Sequence, residues 1–421
     1  MFQKHTLKNG LNIVTVPLQN TKTVTVLVMV KIGSRYENEK NNGISHFLEH
    51  MFFKGTKKRP DTFVLASEID QIGGEHNAFT SKEYTGYYAK AGSEHLPLLL
   101  DLLSDMYFNS KLLPAEIERE KGVICEEINM YQDLPMQYVG ALWESLLYPD
   151  CPSGWMTIGS RENVQSLKQQ DLAEYLKQGY VAANTFVFIA GGVETREAVS
   201  GAEKYFKEAG KGESPVSSRV IETQKVPNIL LQTKKTDQTH FCLGVRGYGA
   251  KHPDYYAAEV LTAVLGGGMS SRLFIAVREK RGLAYYIHAD FESYTDHGYF
   301  VAQAGVDNQK LEEAISVIIQ ECNRLKTEKL SEADLSRAKE YLKGKLILGL
   351  ETSDEIAFWL SGQEIARGNM LAPGEIIKKI DAVGAEDVRR VAGDIFVNDK
   401  LNLAVIGPRE GEKALREILK F

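Results

Sequence analysis

Ala89-Lys90-Ala91-Gly92 closes an aromatic stretch and opens an amphipathic one, and Ala302-Gln303-Ala304-Gly305 does the same 213 residues later. Each tetrapeptide reads as the end of a strand leading into a helix. Other pairs keep the same order. Asn12-Ile13-Val14 answers Asn228-Ile229-Leu230 at an offset of 216, and the strand ends Val30-Lys31 and Val245-Arg246 correspond at 215. Arg119 with Lys121 matches Arg337 with Lys339 at 218, and the helix from Asp171 to Tyr180 with its following strand matches Asp387 to Phe396 at 216. One such match arises by chance, whereas a series in constant order signals a duplicated domain. Each half reads as strands, a helix, a hairpin, long helices and closing strands, without regular β-α-β alternation. The expected fold class is therefore α+β, with two homologous domains, each a mainly antiparallel sheet with helices packed on one face. The stretch Gly212 to Gln224 is rich in Gly, Ser and Glu and has no apolar period, so it reads as a linker. The expected division is 1–212, linker 213–224 and 225–421.

Length agrees with two domains, since 421 residues exceed the usual span of about 100–200 per domain. With 43% hydrophobic and 25% charged residues the chain can bury a substantial core. A net charge of -6 without a dense Lys/Arg block gives no footprint for nucleic acid or an anionic membrane. The longest apolar run, Val24 to Val30, is β-branched and too short to span a bilayer, and Met1 to Asn9 carry no secretory signal. Cys125, Cys151, Cys242 and Cys322 form no C-x-x-C pair, which points to a reducing, cytoplasmic setting. Gly266-Gly267-Gly268 lacks the spacing of a phosphate loop and reads as a tight turn.

The chemistry concentrates in Gly43-Ile44-Ser45-His46-Phe47-Leu48-Glu49-His50-Met51-Phe52-Phe53. Ser45 reads as the N-cap of a short helix and Gly55 as its C-terminal stop. His46 and His50 fall one turn apart on one face, with Glu49 beside them, so the imidazoles can address one ion and the carboxylate a water on it. This is the H-x-x-E-H pattern. The alternative is a pair of ordinary histidines on an amphipathic helix. A metal site needs a third ligand, and the helix starting at Pro114 offers Glu116, Glu120 and Glu127 along one stripe, with Glu126 about 100° away. His76 and Cys125 are rival donors. The duplication adds a comparison within the chain: His46, Glu49 and His50 stand opposite Leu261, Val264 and Leu265, Glu120 opposite Ala338, and Glu127 opposite Lys345. The polar set sits where the second copy is largely apolar, which favours a metal over a solvated face.

His46 to His50, with Glu127 some 77 residues after the second histidine, resembles the pitrilysin and insulysin family of zinc peptidases, in particular the mitochondrial processing peptidase branch and its half-length bacterial relatives. The similarity spans the chain. It includes Gly33-Ser34-Arg35-Tyr36-Glu37, Asn77-Ala78-Phe79-Thr80, the stretch from Gly266 to Leu273 and that from Arg278 to Tyr285. The resemblance implies a zinc endopeptidase acting on peptides or unfolded protein segments in an enclosed chamber. It assigns one Zn2+ per chain to His46, His50 and Glu127, with Glu49 as general base, Glu120 as a supporting carboxylate, and Arg278 and Tyr285 as groups the second half brings to substrate. Asn77, Ala78, Phe79 and Thr80 then form an edge strand to which a peptide adds. The alternative within the family is a non-catalytic peptide-binding or assembly subunit. Members of this length resemble half of the long single-chain peptidases, which implies a homodimer; neither nucleic acid nor membrane is an expected partner. Where mitochondrial members carry acidic residues that recognise arginine near the cut, an ungapped count reaches Gln137 and Ala141, which argues against that preference.

Overall fold

The computed structural model describes residues 2–421. Six strands, β1 (Gln3–Thr6), β2 (Asn12–Pro17), β3 (Thr23–Val30), β4 (Glu75–Thr80), β5 (Thr85–Gly92) and β6 (Thr185–Gly191), form a sheet in the order β1-β2-β6-β3-β5-β4. Five more, β7 (Asn228–Thr233), β8 (Gln238–Gly247), β9 (Ala284–Ser293), β10 (Gly298–Asp307) and β11 (Leu401–Gly407), form a second in the order β7-β11-β8-β10-β9. With β1 set aside, the two orders are the same list. Each sheet contains one parallel pair, β2 with β6 and β7 with β11, and is otherwise antiparallel. Duplication and α+β class are thus both visible in the strand order.

Two compact units result, and neither is continuous in sequence. The first comprises Met1–Met130, Cys151–Ser218 and Gly349–Met370; the second comprises Tyr131–Asp150, Arg219–Leu348 and Leu371–Phe421. The passage from Ser218 to Arg219 falls within the expected linker 213–224. The units depart from the contiguous halves 1–212 and 225–421 at two helices: Pro135–Leu147 belongs to the second unit and Ser353–Arg367 to the first.

The strands explain why. On β3, Val24, Val26, Val28 and Val30 enter one core, while Leu27 and Met29 on the opposite face enter another with Val14, Val16, Phe186, Phe188 and Ala190. A sheet that is apolar on both faces needs cover on both. Helices Ile44–Met51, Thr62–Asp70, Leu96–Asn109 and Thr195–Phe206 contribute to the first core, and Ser353–Arg367 closes the second with Ile356, Ala357, Leu360 and Ile365. The expectation of helices on one face is therefore incomplete, because a single exchanged helix covers the other. Hydrogen bonds fix it there: Ser353 Oγ lies 2.8 Å from Thr25 Oγ1, and Lys90 Nζ reaches Asp354 at 2.7 Å. In the second unit Pro135–Leu147 lies on β7, β8 and β11, burying Val139, Trp143 and Leu147. No helix among the described residues is long and apolar enough to cross a membrane.

Candidate metal centre

The short helix Ile44–Met51 starts at Gly43, whose φ of 101° is open to glycine, and Ser45 lies inside the first turn. The expected Ser45 cap is corrected: its hydroxyl meets Tyr175 at 2.8 Å, and the cap comes from Glu37. Glu37 Oε2 accepts from the Gly43 amide at 2.8 Å and the Asn42 side chain at 2.9 Å, and Oε1 accepts from the Ser45 amide at 2.9 Å. A buried carboxylate at a helix N-terminus satisfies otherwise orphaned donors and opposes the helix dipole. Burial pushes the Glu37 carboxyl up, against the pull of these hydrogen bonds. Glu37→Ala is expected to destabilise the chain by about 3 kcal/mol, since it strands several buried donors at once. An unchanged urea midpoint would show that Glu37 does not hold this helix. The helix ends at Met51 with Phe52 as its cap, and Gly55, at φ 110°, stands beyond it.

Helix Pro114–Asp133 brings up the carboxylates. Glu127 Oε2 lies 3.7 Å from His46 Nε2 and 3.6 Å from His50 Nε2. The donor atoms of His46, His50 and Glu127 all lie within 4.8 Å of one another, so the three could hold a metal ion. Ligands about 2.0–2.1 Å from a tetrahedral zinc stand roughly 3.3–3.5 Å apart, close to the separations of Glu127 from the two imidazoles, and two imidazoles with one carboxylate are a donor set zinc accepts. Glu120 supports the group from behind, with Oε2 at 3.0 Å from His50 Nδ1 and Oε1 at 2.7 Å from Lys54 Nζ. With a metal bound, a proton kept on Nδ1 facing Glu120 would leave the Nε2 lone pair for the ion. His46 Nδ1, by contrast, is buried without a hydrogen-bond partner.

Electrostatics match this division. Burial and the neighbouring His50 hold His46 down at about 4, so its ring is neutral at ordinary pH. Burial also opposes charge on His50, but hydrogen bonds to Glu120 and Glu127 outweigh it and push that ring up to about 9. The two carboxylates thus call for a positive charge at this point. Glu127 is held below the usual carboxylate range chiefly by its hydrogen bond to His50, whereas burial raises Glu49 despite a hydrogen bond from Thr80. That bond, 2.5 Å from Thr80 Oγ1 to Glu49 Oε2, ties the motif to the end of β4.

β4 is the outer strand of its sheet and pairs only with β5, matching Asn77 with Tyr88, Ala78 with Tyr87, Phe79 with Gly86 and Thr80 with Thr85. The other candidates separate from the cluster. Glu116 pairs with Arg119, Glu126 with Asn129, His76 packs its ring against Phe53, and Cys125 is buried in the core. Arg278 and Tyr285 belong to the second unit. There the Arg278 guanidinium lies over the rings of Phe274 and Tyr285, at 4.9 and 5.7 Å, and Tyr285 is 75% exposed at the start of β9. Reading the sequence alone missed Glu37, Lys54 and the tie from Thr80 to Glu49. Lys54 follows His50 by four residues, a spacing that signals a shared side of the turn; Glu37 gave no local signal.

In the second unit, helix Tyr255–Gly266 occupies the place of the histidine helix, and Leu261, Val264 and Leu265 are buried in it. Val264 and Ala338 line one small cavity with Tyr341.

Residues 12–148 match the family model described as insulinase, peptidase family M16, and residues 166–342 match that of the peptidase M16 inactive domain. The uncharacterised zinc protease YmxG of Bacillus subtilis is 36% identical over 97% of this chain and 98% of its own length. The chain belongs to peptidase family M16. The beta subunit of the mitochondrial-processing peptidase of Saccharomyces cerevisiae is 32% identical, covering 95% of this chain and 90% of that subunit. A crystal structure of a protease from Helicobacter pylori superposes with a TM-score of 0.91 at 25% identity, over 97% of this chain and 99% of that one. These relatives place the chain with the half-length members of the family and support a peptidase function.

Proposed function

We propose that the chain is a zinc-dependent endopeptidase that cleaves peptides or unfolded protein segments within an enclosed chamber. The observation that carries this reading is the convergence of His46, His50 and Glu127 beside the separately held carboxylate of Glu49. A zinc held by those three residues would act as a Lewis acid toward a peptide carbonyl and acidify water. Glu49 takes the proton from the attacking water and passes it to the leaving amine. Thr80 holds one oxygen of that carboxylate, leaving the other for proton transfer. The unpaired edge of β4, at Asn77, Ala78, Phe79 and Thr80, binds substrate as an added strand, which reads peptide backbone rather than sequence.

Arg278 and Tyr285 are assigned to substrate and oxyanion through the family resemblance. Their own contact supports the pairing, since the guanidinium over the ring restrains Tyr285 without occupying its hydroxyl. The working form is a homodimer in the cytoplasm with one zinc per chain. Light scattering of active protein tests this, and a fully active monomer contradicts it. Prolonged chelation is expected to stop hydrolysis and added zinc to restore it. Cleavage that survives complete metal removal would exclude the reading.

A further inference from the structure

Behind the donor cluster runs a line of contacts that ends on a lysine. Lys54 lies just past the histidine helix, where its amide closes a turn on the Met51 carbonyl at 3.1 Å. Its Nζ is 2.7 Å from Glu120 Oε1, and the other oxygen of the same carboxylate is 3.0 Å from His50 Nδ1. The Glu120 side chain is only 2% exposed, so protein groups rather than solvent set its orientation. One oxygen is fixed by the ammonium and the other meets the imidazole, which orients the carboxylate and, through it, the ring of His50. The neighbouring Lys58 is engaged elsewhere, with Asp101.

A second observation comes from the duplicated half. The helices Ile44–Met51 and Tyr255–Gly266 end 215 residues apart, and that offset sets Lys54 opposite Met269 and His50 opposite Leu265. Glu120 stands opposite Ala338, which is buried, while Met269 is 74% exposed. All three polar members are absent together from the copy that lacks the donors. Joint loss of the lysine, the histidine and the glutamate is what a shared task at one centre would produce.

We propose that Lys54 is a positioning residue for His50, acting through Glu120 and setting how tightly the centre holds zinc. The proposal rests on the zinc reading above. It is tested on the full chain by chelator competition, which gives zinc dissociation constants for wild type, Lys54→Met, Lys54→Gln, Lys54→Arg, Glu120→Gln and the double variant Lys54→Met/Glu120→Gln. Thermal midpoints of the metal-free proteins accompany them. Either neutral variant at Lys54 is expected to weaken zinc binding by about tenfold or more, the range for removing an outer partner of a ligating histidine. Lys54→Arg, which keeps the charge, should stay within about threefold of wild type. In the Glu120→Gln background the loss of Lys54 should add nothing. Wild-type zinc affinity in both neutral variants, or the same loss with and without Glu120, overturns the proposal. A wild-type chain that binds no zinc overturns the zinc reading itself. A chain that binds zinc with the expected coupling but cleaves nothing overturns only the peptidase reading.

Discussion

Glu49→Gln is expected to lose about 10²–10⁴-fold in peptide hydrolysis while keeping its zinc, because a positioned general base contributes on that order. The amide has the shape of the carboxylate, and its oxygen can still accept from Thr80, so the end of β4 stays in place. His46, His50 and Glu127 keep their mutual spacing, since Glu49 is outside the three-donor group. What the variant lacks is a group able to take a proton. Elemental analysis for zinc, run beside cleavage mapping on a mixed peptide library, separates loss of the base from loss of the metal. Full activity with bound zinc would mean that another group serves as base, and the assignment of Glu49 would fall.

Leu360→Asp should be the most damaging single change to stability. Leu360 is fully buried in the core on the far side of the first sheet, the cluster that also holds Val14, Leu27 and Phe188. Ionised, the aspartate has no partner in that layer; neutral, it still removes apolar contact and leaves a carboxyl unpaired. The loss should reach about 4–5 kcal/mol, at the extreme of single substitutions. Leu348→Asp, at a position 63% exposed, serves as the comparison and should stay within about 0.5 kcal/mol. Urea unfolding followed by far-ultraviolet circular dichroism measures both. Equal midpoints would mean that Ser353–Arg367 does not hold the first sheet.

Much of this was legible in the sequence because it repeats. Matching anchors at nearly constant offset require the same strand order twice, and β2-β6-β3-β5-β4 beside β7-β11-β8-β10-β9 is that order. His46 and His50 could be picked out because their spacing puts them on one helix face and because the second copy replaces both by leucine, whereas Glu127 was singled out from the stripe of Glu116, Glu120 and Glu127 only through the family resemblance. The helix exchange was not legible. Amphipathic periodicity shows that Pro135–Leu147 and Ser353–Arg367 each bury a face, but it carries no information on which sheet receives it. A partial signal existed in β3, where Leu27 and Met29 interleave with valines, so that neither face is polar. Ser45 was misread as a cap because Glu37, the actual acceptor, reaches back from outside the helix, and local patterns see only neighbours.

The return of residues 349–370 to the first unit has a consequence for synthesis. Domains made early on the ribosome commonly fold as they emerge. Here the unit with His46, His50 and Glu127 lacks its second layer until translation passes residue 370 of 421. An unfinished nascent chain therefore carries His46, His50 and Glu127 but not the packing that completes their sheet. The segment that finishes the fold arrives late, so the first unit is complete only when most of the polypeptide has been made.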